Sequence, residues 1–188
     1  SDLVFGFQDV VTNPDIGEVG GVWSVGGETV QIEKVDMYTI RFTFAEPYPA
    51  FETVLIRQGE TLARPSHYLS GFHPKYNEGL KSRENPYDLF LEAAASGSVD
   101  DGGDVNIDLP VLWAWRVVET KLPEYAIFER NPYFYMVDPE GNQLPYIDHI
   151  KVTMESDVEV IFLKALSGAY DYQRDQIRAE EGDRKSVV

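Results

Sequence analysis

The side chains best suited to proton transfer near neutral pH are the three histidines, His67, His73 and His149. His67 and His73 are six positions apart, which is not the i, i+4 spacing that places two metal ligands on one helical face. The sequence contains neither a phosphate-binding glycine loop nor a Gly-x-Ser-x-Gly nucleophile motif. A pair of carboxylates that cleaves glycosidic bonds remains an alternative in so acidic a chain, although no pair stands out.

Two groups of oxygen donors resemble parts of a calcium site. Asp100, Asp101 and Asp104 lie together in a polar, glycine-containing segment, but they do not complete a calcium loop. We interpret them as solvated carboxylates of a linker and expect neither a metal nor a cofactor.

The second group alternates oxygen donors at Asp138, Glu140 and Asn142. The position that should close a calcium loop with a bidentate glutamate is His149, and Gly141 comes too early for the loop's glycine. The sequence Asp-Pro-Glu-Gly-Asn instead predicts a tight turn, with Gly141 accepting a positive φ.

Four aromatic residues are candidates for the wall of a ligand cleft: Trp113 and Trp115, and also Trp23 and Tyr48. Trp113 and Trp115 lie in a strand-like run, Leu112 to Val118, where alternate residues share one face. Indole and phenol rings offer apolar area together with a hydrogen-bonding tip. Packing in the core is the alternative for each of them.

The charge limits the classes of partner. The chain has 16 basic and 32 acidic residues, a net charge of −16. Nucleic acid and anionic membrane surfaces are therefore not expected as partners, since both require a basic surface. No apolar run approaches the roughly 18 residues of a membrane span, so we expect no direct membrane insertion by this segment.

The pattern of apolar residues predicts an α+β fold of small mixed sheets with flanking helices. The strand candidates are Val30–Val35 paired with Tyr38–Phe44, then Leu112–Val118, Tyr125–Arg130 and Ile147–Met154. The helix candidates are a first helix capped by Asp2, one entered at Pro49, one in Pro65–Tyr76, one capped by Asn85 with Pro86 at its first position, and one opened by a capping box at Ser156–Glu159 and closed at Gly168.

The polar stretch around residues 96–108 divides the chain. We expect one unit over residues 1–107, a strand-hairpin-strand-helix unit over 108–173, and a polar tail over 174–188. Between the last two strand candidates lies RNPYFYMVDPEGNQLPYID, residues 130–148, which we interpret as a structural connector. Its aromatics are predicted to lock the hairpin to the following strand, so that Tyr133→Ala should lower the melting temperature.

The order of these segments resembles the family 5 extracellular solute-binding proteins, the peptide- and nickel-type binding components of ABC importers. The similarity covers nearly the whole chain up to Gln173. It is carried by the segments DLVFGFQDVVTNP, IEKVDMYTIRFTFAEPYPAF, RPSHYLSGFHPKYN, LPVLWAWRVVE, YAIFERNPYFYMVDPEGNQLPYIDHIKVTM and LKALSGAYDYQ. Trp113-Ala114-Trp115 departs from the family pattern, which usually has Gly-Pro-Trp or Gly-Pro-Tyr there.

The resemblance implies part of the first lobe of a two-lobed periplasmic-binding-protein type II architecture, continued by a longer parent protein. It implies a receptor, not an enzyme, that captures an oligopeptide or similarly extended solute, possibly a sugar oligomer. An ABC permease would be its partner. The parent protein would be periplasmic or extracellular and tethered at the cell surface, as a secreted or lipid-anchored protein is.

Overall fold

A computed structural model describes residues 1–17, 20–95 and 105–173, with only the backbone of Glu60. The candidates Asp100, Asp101 and Asp104 and the predicted tail 174–188 lie outside the described residues. The α-helices are α1 (Asp2–Phe5), α2 (Phe51–Gln58), α3 (Ser66–Leu69), α4 (Asp88–Ala94) and α5 (Val158–Leu166). The strands are β1 (Ser24–Val25), β2 (Glu28–Thr29), β3 (Gln31–Lys34), β4 (Ile40–Thr43), β5 (Trp115–Lys121), β6 (Tyr125–Arg130) and β7 (His149–Thr153).

Three antiparallel sheets are formed: β1–β2, β3–β4 and β5–β6–β7. The predicted pairing of the Val30 and Tyr38 segments is confirmed, with Ile32 opposite Phe42. The predicted three strands of the second half are also confirmed, although β5 begins at Trp115. Trp113 therefore precedes the strand, and the prediction that it shares a strand face with Trp115 is wrong.

The first helix continues directly into a π-helical segment, Gly6–Val11. Phe5 and Phe7 point to different sides of this continuous helix and enter two different apolar cores, because residues two positions apart lie on roughly opposite helical faces. One core contains Phe5, Leu69, Phe90, Ala93 and Leu109, and the other contains Phe7, Trp23, Val30, Ile32 and Leu62.

Three predicted helix caps differ in the structure. The side chain of Asp2 does not cap its own helix, because it accepts hydrogen bonds from the backbone N–H and hydroxyl of Ser66. Asn85 is not a cap either, since α4 begins three residues later, at Asp88. The cap of α5 is Asp157 in place of the predicted Ser156; its carboxylate accepts from the backbone N–H of Glu159 at 2.8 Å.

The connector 130–148 contains the predicted tight turn. The backbone N–H of Asp138 donates to the carbonyl of Asn142 at 2.9 Å, and Gly141 has φ of +86°. At the end of α5, Gly168 has φ of +74°, as its predicted role in a left-handed cap requires. None of the helices in the described ranges is both long and apolar enough to cross a bilayer.

Candidate ligand-binding groove

An open groove of about 520 Å³ lies where α2 and residues 63–65 meet the segment that leads into β5. One side is formed by Ile56 of α2 and by residues 63–65, the other by residues 109–114 and by the start of the connector. Its lining residues are mostly apolar: Ile56, Ala63, Arg64, Pro65, Leu109, Pro110, Val111, Leu112, Trp113, Ala114, Phe134 and Tyr135. Concave apolar surfaces with few polar groups are typical of small-molecule sites.

The groove wall at residues 63–65 lies between the buried residue Leu62 and the start of α3, and both ends of it are fixed by hydrogen bonds. Leu62 is buried in the core, and its carbonyl accepts from the backbone N–H of Arg64 at 2.9 Å. The carbonyl of Pro65 accepts from the backbone N–H of Leu69 at 2.9 Å, which ties the end of this wall to α3. The backbone on this side of the groove is therefore anchored at both ends.

The opposite wall, residues 109–114, lies outside the described strands. Leu109 anchors its start in the core, and a single asparagine bonds the carbonyls that follow. Asn131, which is 4% exposed, donates from its side-chain amide to the carbonyls of Val111 at 3.0 Å and Trp113 at 2.9 Å. Its backbone N–H donates to the carbonyl of Ala114 at 2.8 Å. Asn131 thus fixes an extended segment that regular sheet bonding does not reach.

Sequence reasoning missed Asn131, and assigned the locking role to the aromatics that follow it. Tyr133 is 87% exposed and Tyr135 is 76% exposed, so neither ring packs the hairpin against β7. The available signal was the Asn131-Pro132 pair directly after a strand, since an asparagine side chain readily bonds nearby backbone groups.

Three aromatic residues line the groove: Trp113, Phe134 and Tyr135. Trp113 is 45% exposed, and the rings of Phe134 and Tyr135 pack with their centroids 5.0 Å apart. Such rings can contact the apolar faces of a solute while the indole N–H and the phenol hydroxyl bond its polar groups. That Trp113 contacts a ligand stays a prediction.

The other predicted aromatics lie elsewhere. Trp115 lines a smaller cavity of about 20 Å³, which shares Leu109, Val111 and Trp113 with the groove. The indole N–H of Trp115 donates to the carbonyl of Ile147 at 3.0 Å. Trp23 is 3% exposed, so the structure places its ring in the core and not on a cleft wall. Tyr48 donates its hydroxyl to the carbonyl of Val22 at 3.2 Å and packs on Phe51, which is also a structural position.

Arg64 is the charged residue of the groove lining. Its Nε–H donates to the carbonyl of Thr61 at 3.2 Å, and burial of the guanidinium lowers its pKa. Among the side chains that the structure describes, no carboxylate forms an ion pair with it.

A buried polar cluster lies outside the groove. His73, 1% exposed, approaches the carbonyl of Asp9 through Nε2 at 3.0 Å and accepts from the backbone N–H of Lys75 through Nδ1 at 3.1 Å. The carboxylate of Asp9 is bonded by the ammonium of Lys75 at 2.5 Å and by the hydroxyl of Tyr76 at 2.6 Å. With both imidazole nitrogens bonded and surrounded by aromatic rings, His73 serves packing.

The electrostatics of the same cluster agree with a structural role. The hydrogen bond with Asp9 raises the pKa of Lys75, so its ammonium stays charged. Burial, and then the bond to Asp9, raises the pKa of Tyr76. Within the described residues, no group of three or more histidines and acids is arranged to hold a metal ion.

Known proteins are similar to this chain in fold and in sequence. The oligopeptide-binding protein OppA superposes with a TM-score of 0.76 at 38% identity, over 92% of this chain and 27% of that protein. The periplasmic binding protein MelB of Agrobacterium fabrum C58, in complex with stachyose, gives a TM-score of 0.64 at 28% identity, over 89% of this chain and 23% of MelB. These two structures confirm the α+β fold and the two-lobed type II architecture of which it is part.

A curated relative is the periplasmic alpha-galactoside-binding protein of Rhizobium meliloti (strain 1021). It is 30% identical over 173 residues, which are 90% of this chain and 22% of the relative. The chain thus spans about a quarter of the length of the proteins that it matches. The sequence matches the profile of the bacterial extracellular solute-binding proteins, family 5 Middle, over residues 1–185, and the chain therefore belongs to this family.

Proposed function

We propose that this chain is part of the substrate-binding component of an ABC importer, and that its groove is one wall of the ligand cleft. The observation that carries the proposal is the groove itself, since it combines apolar walls with exposed aromatics and one cation in a member of a solute-binding family. In the parent protein a second lobe would close over the ligand, and the closed receptor would deliver it to a membrane permease.

The solute is an oligopeptide or a similarly extended molecule such as a sugar oligomer. The groove is open, and its volume of about 520 Å³ lies within the range of small-molecule sites, so it has room for part of an extended solute. The relatives include both ligand classes: one is named for oligopeptides, another is named for alpha-galactosides, and MelB is in complex with stachyose.

A binding role without covalent chemistry is the better supported alternative. A carbohydrate hydrolase needs two carboxyl groups facing the scissile bond. None of the described residues that line the groove is acidic. A purely structural interaction domain is less well supported, because it gives no reason for an aromatic-lined concavity beside a cation. The family supports a periplasmic or extracellular place, with tethering at the cell surface as part of the proposal.

The experiment is a titration of the ¹⁵N-labelled chain with stachyose and, separately, with tetra-alanine, followed by amide chemical shifts. With only one wall present, we expect a Kd of roughly 1 mM or weaker, equivalent to about −4 kcal/mol. Shift changes should concentrate at residues 63–65, 109–114 and 134–135. Binding that is tight, that maps to another surface, or that is absent for both probes would contradict the proposal.

A further inference from the structure

Arg64 is unusual among the basic residues of this protein. Acids outnumber bases two to one, and seven ion pairs are formed between described residues. These pairs are Arg41–Glu33, Lys75–Asp9, Lys81–Glu78, Arg116–Glu129, Lys121–Glu124, Arg130–Asp148 and Lys164–Glu155. Arg64 has no such partner in the described part of the chain. The same is true of Lys34, Arg57, Arg83 and Lys151, but these four side chains are exposed, whereas Arg64 is half-buried.

Because the Arg64 guanidinium is half-buried, the lack of a counterion costs free energy. An arginine stays charged in proteins, so a half-buried guanidinium has lost part of its hydration, and no carboxylate in the described part of the chain compensates for that loss. The lowered pKa of Arg64 has this cause. Its Nε–H is bonded to the carbonyl of Thr61, which orients the head group and leaves the two terminal nitrogens without a described hydrogen bond.

The surroundings of Arg64 in the groove favour an anion. The described lining contains no aspartate or glutamate, in a chain that has 32 of them. The rest of the lining is apolar or aromatic, and a low-polarity environment strengthens a charge-assisted hydrogen bond. A planar guanidinium matches the two oxygens of a carboxylate.

We propose that Arg64 is a specificity-determining residue that binds a carboxylate of the solute. The groove would then select solutes that carry a carboxylate, such as a peptide or an acidic sugar, over neutral solutes of the same shape. This inference rests on the proposed function, since it requires that the groove is the ligand wall. It favours the oligopeptide over the neutral sugar oligomer.

The test compares matched probes that differ only in the carboxylate. Tri-alanine is compared with tri-alanine amide, and galacturonic acid with galactose, by chemical-shift titration of the same chain at low ionic strength. The net charge of −16 repels the acid member of each pair, so a preference for it indicates a local group that binds the carboxylate. We expect about tenfold tighter binding of at least one acid than of its neutral partner.

The variants assign the preference to one side chain. Arg64→Gln should reduce the ratio of affinities to about one, whereas Arg57→Gln should leave it unchanged. Arg57 is an exposed residue of α2 outside the groove lining, so its substitution makes the same change of net charge. If Arg64→Gln does not fold, Arg64→Lys and the shift of the Arg64 Nε–H resonance in the unsubstituted chain give the same information.

The outcomes separate the two proposals. If acid and neutral probes bind the groove with equal affinity, or if the preference survives Arg64→Gln, the assignment of Arg64 is wrong and the groove stands. If no probe of either pair binds, the assignment of Arg64 falls, and the titration with stachyose and tetra-alanine decides separately whether the groove is a ligand wall.

Discussion

Replacing Asn131 with alanine should destabilise the protein strongly, although the residue lies in a loop. The substitution removes two donors that bond the carbonyls of Val111 and Trp113, and one acceptor for the backbone N–H of Tyr133 at 3.0 Å. Each hydrogen bond contributes about 1 kcal/mol net, and buried partners left without a bond cost more. The expected loss is roughly 2–4 kcal/mol in the free energy of unfolding.

The measurement is urea denaturation followed by tryptophan fluorescence, together with the melting temperature. For a chain of this size, roughly 2–4 °C is lost for each kcal/mol, so Asn131→Ala should melt about 5–15 °C lower. The matched control is Tyr133→Ala, which removes an exposed ring and should change the stability by less than about 0.5 kcal/mol. A small effect of Asn131→Ala, or a larger effect of Tyr133→Ala, would refute the assignment of the locking role to Asn131.

Two further predictions concern the backbone and the connector. Gly6→Ala should prevent folding or cost more than about 3 kcal/mol, because a Cβ at this position would overlap the carbonyl of Leu62; circular dichroism with a normal melting transition would contradict this. The hydroxyl of Tyr146 is the main cause that lowers the pKa of Asp138 from 3.8 to about 2, so Tyr146→Phe should raise that pKa in a carboxyl ¹³C titration. Because this stabilisation is present above pH 3.8 and is lost as the pH falls through 2, the two proteins should differ least in stability at the lowest pH; an unchanged pKa in the variant would contradict the hydrogen bond.

Much of the sheet structure could be predicted from the sequence, because alternation of apolar residues is a local property. Ile150 and Val152 lie on one face of β7, as their period of two predicts. The turn at Gly141 and the cap at Gly168 were predictable for the same reason, since a positive φ selects glycine from neighbouring backbone geometry alone. The predictions of helix starts were less accurate, because the position of a cap depends on the φ and ψ of one residue, as at Asp157.

The candidate site was less predictable, because its members are defined by distant contacts. Trp23 and Trp113 are the same residue type, and only tertiary packing makes one a core residue and the other part of the groove. Asn131 is functional in the fold through carbonyls 18 and 20 positions away. Arg64 stands out because no carboxylate in the described part of the chain pairs with it. No local sequence pattern reveals that an ion-pair partner is missing.

The central claim, that the groove is a ligand wall, is tested most directly by the affinity of Trp113→Ala compared with Tyr133→Ala. Both substitutions remove an exposed aromatic ring, but only Trp113 lines the groove. With whichever of stachyose and tetra-alanine binds the unsubstituted chain, Trp113→Ala should raise the Kd about tenfold, the usual effect of truncating an aromatic anchor, and Tyr133→Ala should change it less than about twofold. Equal effects of the two substitutions, or no effect of Trp113→Ala, would contradict the account.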